Sequence, residues 1–289
     1  MRILHLTDTH LFGPGGVRHY DRIDTAAALA GVIDRLAPLG AVDLVAHTGD
    51  ASEDGTVESY RRLHALLEPL AQRLGAQLAI AMGNHDVPAR YAEVAGPGDH
   101  GGPWQDRVVD LPGGGRAVVL DTTVPGAGWG RLEPEQLEWL RAVLAQPAPG
   151  GRGTVLLLHH PPVAAATRML RSLELAEPGD LAAVIADSDV RIVLAGHYHH
   201  AMGGTVGGVP VHVAPGITNV VDPVGASGDE EISLPLSGAS LVELPDDDAA
   251  PRIATSVWPN AGDTLRDASR PVYRFGPQEV QAIIDAAGR

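Results

Sequence analysis

Ala79-Ile80-Ala81-Met82-Gly83-Asn84-His85-Asp86 is an apolar run, long enough for a buried strand, that stops at a glycine and three polar side chains. In open α/β sheets, ligands and chemistry collect at the carboxyl ends of strands. The same event recurs along the chain. Leu4 to Thr7 runs into Asp8-Thr9-His10, and Leu44 to Thr48 into Gly49-Asp50. Val155 to Leu158 ends at His159-His160, and Ile192 to Ala195 at Gly196-His197-Tyr198-His199. Five apolar runs therefore end in residues that ligate metals.

Outward from these runs, the pattern predicts an α/β fold. Arg2 to Thr7 is a strand, Asp21 to Leu39 a helix with Ile23, Ala26, Ala27, Ala30, Ile33 and Leu36 near helical spacing, and Leu44 to Thr48 a second strand. A helix from Thr56 to Leu74, with Tyr60, Leu63, Leu67 and Leu70 on one face, leads to the Gln77 to Met82 strand. This βαβαβ opening predicts parallel strands in a first sheet. Phe12 to His19 is a glycine-bearing loop that can lie over the mouth of a site.

Further on, Val108 to Leu111 and Ala117 to Leu120 flank Pro112-Gly113-Gly114-Gly115 as an antiparallel hairpin. Pro134 opens a helix to Leu144, at a position where its missing N–H is harmless. A helix over Leu181 to Ala186 sits between strands at Thr154 to Leu158 and Arg191 to Ala195. Val209 to Val213 and Ser240 to Leu244 are expected as strands of a second sheet. The acidic break Pro245-Asp246-Asp247-Asp248 marks a boundary between a catalytic domain, 1–244, and an extension, 245–289. That extension reads as a strand, Ile253 to Val257, and an amphipathic helix, Pro277 to Ala287. The helix is expected to pack on its own domain, with a homodimer contact as the alternative.

Composition narrows the class. With 289 residues, 44% of them apolar and only 4% aromatic, the chain can bury a large core built mostly of Ala, Val, Leu and Ile. A net charge of -15 opposes binding to long polyanions such as nucleic acid, because phosphate contacts need clustered basic residues. All 21 basic residues are arginines. The absence of cysteine excludes disulfides and thiolate metal sites, so any metal is held by carboxylate, imidazole or amide. No apolar run approaches the roughly 20 residues that span a membrane, and no signal-type segment precedes the first strand, so a cytoplasmic enzyme is expected.

Each motif alone has an ordinary reading. Asp8 and His10 alone read best as a capping Asp and an incidental His, Gly49-Asp50 as a turn, and His197 with His199 equally as a structural pair. Together, Asp8, His10, Asp50, Asn84, His159, His197 and His199 form an O/N donor set suited to Mn, Fe or Zn. Seven donors exceed what one tetrahedral ion uses and fit two ions sharing a carboxylate, which hydrolytic sites hold roughly 3.5–4 Å apart. Only Asp8 and Asp50 offer negative charge within the motifs, which makes a bridging hydroxide chemically reasonable. His5, His47, His64, His100 and His212 lie outside the motifs and read best as core or surface residues, with His5 and His47, inside strands, as alternative donors to the ligands.

The order Asp8-x-His10, Gly49-Asp50, Gly83-Asn84-His85-Asp86, His159-His160-Pro161-Pro162 and Gly196-His197-x-His199 resembles the calcineurin-like metallophosphoesterase superfamily over about residues 1–244. Within it, the chain is most similar to bacterial class III cyclic nucleotide phosphodiesterases. Leu120-Asp121-Thr122 adds to that likeness. The resemblance implies a four-layer α/β/β/α sandwich with two mixed sheets. It implies one ion on Asp8, His10, Asp50 and His199 and a second on Asp50, Asn84, His159 and His197, with Asp50 bridging. Mn²⁺ and Fe²⁺ or Fe³⁺ are the expected ions, with Zn²⁺ as an alternative. His85 would face the phosphate with Asn84 and help protonate the leaving oxygen. His160 falls outside the ligand set, and Asp86 orients His85 or caps the next helix. Tyr198 and His200 line the pocket or pack at the surface.

The activity so implied is hydrolysis of a small phosphodiester, foremost a 3′,5′-cyclic nucleotide, by a metal-bridging hydroxide. The alternatives are a glycerophosphodiesterase, a phosphomonoesterase or other broad phosphoesterase, and a nuclease, the last disfavoured by the acidic balance. A metal-free interaction scaffold on the same fold would require degraded ligands, and none of the seven is missing.

Overall fold

The computed structural model describes residues 1–246 and 249–288. In chain order they form β1 (Arg2–Leu6), α1 (Thr25–Arg35), β2 (Leu44–Thr48), α2 (Val57–Leu74), β3 (Gln77–Ala81), α3 (Pro88–Ala95), β4 (Arg107–Asp110) and β5 (Arg116–Val119). There follow α4 (Pro134–Leu144), β6 (Thr154–Leu157), α5 (Arg168–Arg171), α6 (Pro178–Ile185), β7 (Val190–Ala195), β8 (Met202–Val206) and β9 (Val209–Val213). The chain closes with β10 (Val220–Val221), β11 (Glu231–Leu234), β12 (Leu236–Glu243), β13 (Arg252–Pro259), β14 (Tyr273–Phe275) and α7 (Pro277–Ala287).

Two mixed sheets face each other. The first has the order β13-β12-β1-β2-β3, with β1, β2 and β3 parallel. The second has the order β4-β5-β6-β7-β9-β8, and the β4–β5 hairpin is antiparallel as its glycine turn requires. Ile3, Ala46, Ala81, Val119, Leu157 and Leu194 fill the space between the sheets. The opposite side chains of the same strands pack under helices. Leu4, Leu6, Val45 and Ile80 meet Leu29 of α1 and Leu63 and Leu67 of α2. Val118, Leu156 and Val193 meet Leu140 of α4 and Leu181 of α6. Continuous apolar strands follow from burial on both faces. The result is the α/β/β/α sandwich that the resemblance implied.

Three details depart from the expectations. The strand around Ser240–Leu244 is β12, and it joins the first sheet, pairing antiparallel with β1 so that His5 lies opposite Ser240. An apolar pattern shows that a strand is buried but not which sheet receives it. Helix α1 begins at Thr25 rather than Asp21, because Asp24 caps it by accepting the Ala27 N–H while Tyr20 and Asp21 hold left-handed backbone. A third sheet, β10-β11-β14, lies beside the two large ones.

The chain after Pro245 is woven into this body; of the acidic break, Asp247 and Asp248 lie outside the described residues. Strand β13 pairs with β12 along its whole length, and β14 pairs with β11. Helix α7 packs through Val280, Ile283 and Ile284 on the cluster over the second sheet, as its apolar face led us to expect. Among the described residues, no helix is long and apolar enough to cross a membrane.

Candidate metal centre

The strand ends deliver the seven predicted donors to one place. Asp8 and His10 follow β1, Asp50 follows β2, Asn84 follows β3, His159 follows β6, and His197 and His199 follow β7. Five of them, Asp8, His10, Asp50, His197 and His199, hold positive φ between 44° and 69°. Non-glycine residues avoid this region, and departures of this kind cost about 1–3 kcal/mol each and cluster at functional sites. The close approach also needs Gly83, where a Cβ would run into the Asp50 carboxylate.

Candidate ligand atoms of Asp8, His10, Asp50 and His199 lie within 4.8 Å of one another. His199 Nε2 is 3.1 Å from Asp8 Oδ1 and 3.3 Å from His10 Nε2. The second cluster adjoins the first through one oxygen. Asp50 Oδ2 is 3.6 Å from His10 Nε2 and 3.3 Å from His159 Nε2. His197 Nδ1 is 3.2 Å from His159 Nε2. Asn84 lines the same cavity as His10, Asp50, His197 and His199, and its Oδ1 is buried without a hydrogen-bond partner.

The tautomers show which ring nitrogen each histidine turns inward. His10 Nδ1 faces Glu53 Oε2 at 2.6 Å, His199 Nδ1 faces the Asn219 carbonyl at 3.1 Å, and His159 Nδ1 faces the Thr48 carbonyl at 2.7 Å. Each Nδ1 therefore holds a proton, and Nε2 is the nitrogen turned inward. Nitrogens and carboxylate oxygens converging in this way repel unless a proton or a metal cation lies between them. The residues present fit two metal ions, and the partners on Nδ1 are those that orient metal-bound imidazoles.

The protonation balance shows the same demand for positive charge. Burial pushes Asp8 and Asp50 up, but the rings of His199 and His159 outweigh it and hold both carboxyls well below their ordinary range. Burial lowers His159, and the Asp50 carboxylate reverses this to about 9, drawing onto Nε2 a proton where no metal ion takes its place. Burial and then His159 bring His197 down to about 3, which leaves its ring neutral.

Several neighbours differ from the sequence reading. Asp86 neither caps α3 nor touches the His85 ring; its carboxylate accepts the N–H groups of Ala51, Ser52 and Gly83 and so ties the β2 and β3 loops together. His5 and His47 are buried, as core roles require, and bond the hydroxyls of Thr48 and Thr9 rather than the ligands. Tyr198 and His200 are buried, and Tyr198 donates its hydroxyl to the Val163 carbonyl. His160 hydrogen-bonds Thr122 Oγ1 through Nδ1, yet one of its ring nitrogens lies close enough to His159 and His197 to complete a third donor there. Asn84, with its unpartnered oxygen, competes with His160 for that place.

Glu53 and His19 belong to the site and were missed. Glu53 Oε2 serves His10 at 2.6 Å and His85 Nδ1 at 3.2 Å, with His19 Nδ1 at 3.6 Å. The available signal was a carboxylate just downstream of Asp50, in Gly49-Asp50-Ala51-Ser52-Glu53. His19, at the end of the expected loop, gave none.

Fold and site together define a metal-dependent phosphoesterase of the α/β/β/α type. Residues 1–201 match the family described as calcineurin-like phosphoesterase, and the chain belongs to that family. Its relatives include a cAMP/cGMP dual specificity phosphodiesterase of Mycobacterium tuberculosis, 37% identical over 84% of this chain and 75% of the relative. A 3′,5′-cyclic adenosine monophosphate phosphodiesterase of Pseudomonas aeruginosa is 34% identical over 68% of this chain and 69% of the relative. Among solved structures, a dimetal phosphatase from Danio rerio superposes with a TM-score of 0.58 over 87% of this chain and 98% of its own, at 13% identity. That likeness concerns the fold alone.

Proposed function

We propose that the chain hydrolyses 3′,5′-cyclic nucleotides at a two-metal centre held by Asp8, His10, Asp50 and His199 on one side and Asp50, Asn84, His159 and His197 on the other. The observation that carries the reading is the Asp50 carboxylate, whose Oδ2 faces the inward Nε2 atoms of both His10 and His159. The substrate assignment is supported by the names of relatives 34% and 37% identical. Imidazole, carboxylate and amide donors suit Mn and Fe, and admit Zn.

Two ions held there supply a nucleophile at neutral pH and neutralise charge on the transferring phosphoryl group. The chain's own residues do the rest. His85 lines the cavity with a partly exposed ring, and Glu53 engages its Nδ1. Nε2 is then the nitrogen free to serve the substrate. It stabilises charge on the phosphate and gives its proton to the departing alkoxide, the 3′ oxygen of a cyclic nucleotide. Asn84 contributes its amide beside it, and Asp86 keeps the loops that carry Asp50 and His85 in register.

The test is kcat/KM for 3′,5′-cyclic AMP, a glycerophosphodiester and single-stranded DNA, measured with one Mn-loaded preparation. Cyclic AMP is expected to be the best of the three, with only a shallow dependence on salt. Efficient DNA cleavage with negligible cyclic AMP turnover would overturn the assignment. A strong preference for the glycerophosphodiester would replace it with that activity.

A further inference from the structure

The cavity over the metal centre, about 190 Å³, continues outward past the ligands to a wall of a different chemistry. Tyr20, Tyr273 and Phe275 line it. The rings of Tyr273 and Phe275 stack at 4.4 Å with 15° between their planes, and Tyr20 leans on Tyr273 at 4.9 Å. The chain has only five tyrosines and two phenylalanines, so this wall concentrates a scarce resource at one place. Tyr273 and Phe275 lie far beyond the residues 1–201 that match the family.

The wall is built rather than incidental. Tyr20 and Asp21 both hold left-handed backbone, φ 49° and 54°, which a bulky aromatic residue adopts only under constraint. The constraint is Arg22. Its guanidinium donates Nε and Nη2 to the two oxygens of Asp263 at 2.7 and 2.8 Å. It also donates to the carbonyls of Asp267, Arg270 and Pro271. This buried fork clamps the loop that carries Tyr20 to the segment that leads into Tyr273. Met169, Leu170, Leu173, Val221 and Ile283 extend the apolar surface.

Among the described residues lining this cavity there is no arginine, the only basic side chain of comparable charge in the chain. Beyond the metal-bound phosphate, the cavity therefore suits a neutral group, and stacked aromatic rings suit a flat one. A second phosphate or an acidic head group would meet Glu53 and no compensating cation. We propose that Tyr20, Tyr273 and Phe275 form the stacking wall for a nucleobase, so that the segment after residue 260 is part of the substrate site.

The inference rests on the cyclic-nucleotide reading, and its rival lies close by. A larger apolar cavity, about 480 Å³, flanks His85 on the side of Val87, Pro103, Trp104 and Val124. It shares only Asn84 and His85 with the metal centre, whereas the aromatic wall opens onto both donor clusters.

Equilibrium binding to the Mn-loaded full chain separates these cases without relying on turnover. The probes are 5′-AMP and ribose 5-phosphate, which present the same phosphate with and without a base. Base–aromatic stacking measured by alanine substitution predicts that the wild type prefers 5′-AMP by about 5- to 100-fold. Tyr273→Leu, Phe275→Leu and Tyr20→Ala should each erode that preference and leave ribose 5-phosphate binding unchanged, with metal content and Tm reporting on folding. Tyr273→Phe keeps the ring and should keep the preference. Equal affinities in the wild type, or loss of the preference in Trp104→Leu but not in Tyr273→Leu, overturn the proposal. So does its loss in Tyr273→Phe, which would assign Tyr273 a role through its hydroxyl. Cyclic AMP turnover by the same wild-type preparation distinguishes the two readings. A base preference without turnover leaves the wall standing and removes the activity, and turnover without a base preference does the reverse.

Discussion

Replacing Glu53 tests whether one carboxylate serves both metal binding and leaving-group protonation. A single oxygen, Oε2, takes His10 Nδ1 at 2.6 Å and His85 Nδ1 at 3.2 Å. Burial raises this carboxyl, but the hydrogen bond and charge of His10 more than offset it, and Glu53 stays below its ordinary range. In Glu53→Gln the amide oxygen can take the place of Oε2, so the shape is kept and the charge is lost. Hydrogen bonds to a charged group contribute about 1.5–3 kcal/mol, against about 0.5–1.5 for neutral ones. Losing that difference at two rings, together with the polarisation of a metal-binding imidazole, corresponds to about 10–100-fold in metal affinity or activity. The assay has two arms. Titration of apo-enzyme with Mn²⁺ by calorimetry should show weaker binding in the half of the site that includes His10. At saturating metal, kcat should fall for cyclic AMP and fall less for a 4-nitrophenyl diester, whose leaving group needs no proton. His85→Ala, at about 10²–10⁴ in kcat, bounds the effect from above. If Glu53→Ala, which removes both bonds outright, left metal affinity and kcat as in the wild type, Glu53 would have neither role.

Two further outcomes follow from named contacts. Asp50→Ala should release both metal ions together by elemental analysis, because its Oδ2 faces His10 and His159 alike; retention of two tightly bound ions per chain would refute the bridging assignment. Asp263→Asn removes the main counter-charge of the buried Arg22 guanidinium, leaving only the more distant Asp267, and should cost about 1–3 kcal/mol in urea unfolding at pH 7. Because the Arg22 hydrogen bonds depress Asp263 below its ordinary value near 3.8, the stability it contributes is present above that pH and lost as pH falls through the depressed value. The difference between variant and wild type should shrink in acid, and a difference that grew there would contradict the ion pair.

The convergence of the candidate donors was legible because strand periodicity and ligand chemistry coincide at five strand ends. Val45 and Ile80 are buried because they sit in strands, and Asp50 and Asn84 follow because the strands stop. What the sequence left unmarked depends on tertiary approach. Glu53 is three residues from Asp50, with nothing local to say that its carboxylate turns back toward His10 and His85. Asp86 looked like a partner for His85, and backbone donors from the neighbouring β2 loop claim it instead. Strand β12 was recognised but assigned to the wrong sheet, since the choice is made by its antiparallel pairing with β1 over Arg2 to His5.

The aromatic wall was illegible for a further reason. Strand β14 is three residues long, and Tyr273 and Phe275 share one face of it with only Arg274 between them. No periodicity can be read from so short a run, and its partner Tyr20 lies some 250 residues earlier. What joins them is the Arg22 guanidinium, whose five hydrogen bonds to described residues go to Asp263 and to the carbonyls of Asp267, Arg270 and Pro271. The candidate metal donors thus come from the strand ends of the N-terminal two thirds, which match the family. The surface that would hold the rest of the substrate comes from a loop and a C-terminal segment held to it by one buried arginine. Substitutions at Arg22 or Asp263 should accordingly act on base discrimination before they act on metal binding, since neither side chain touches a ligand.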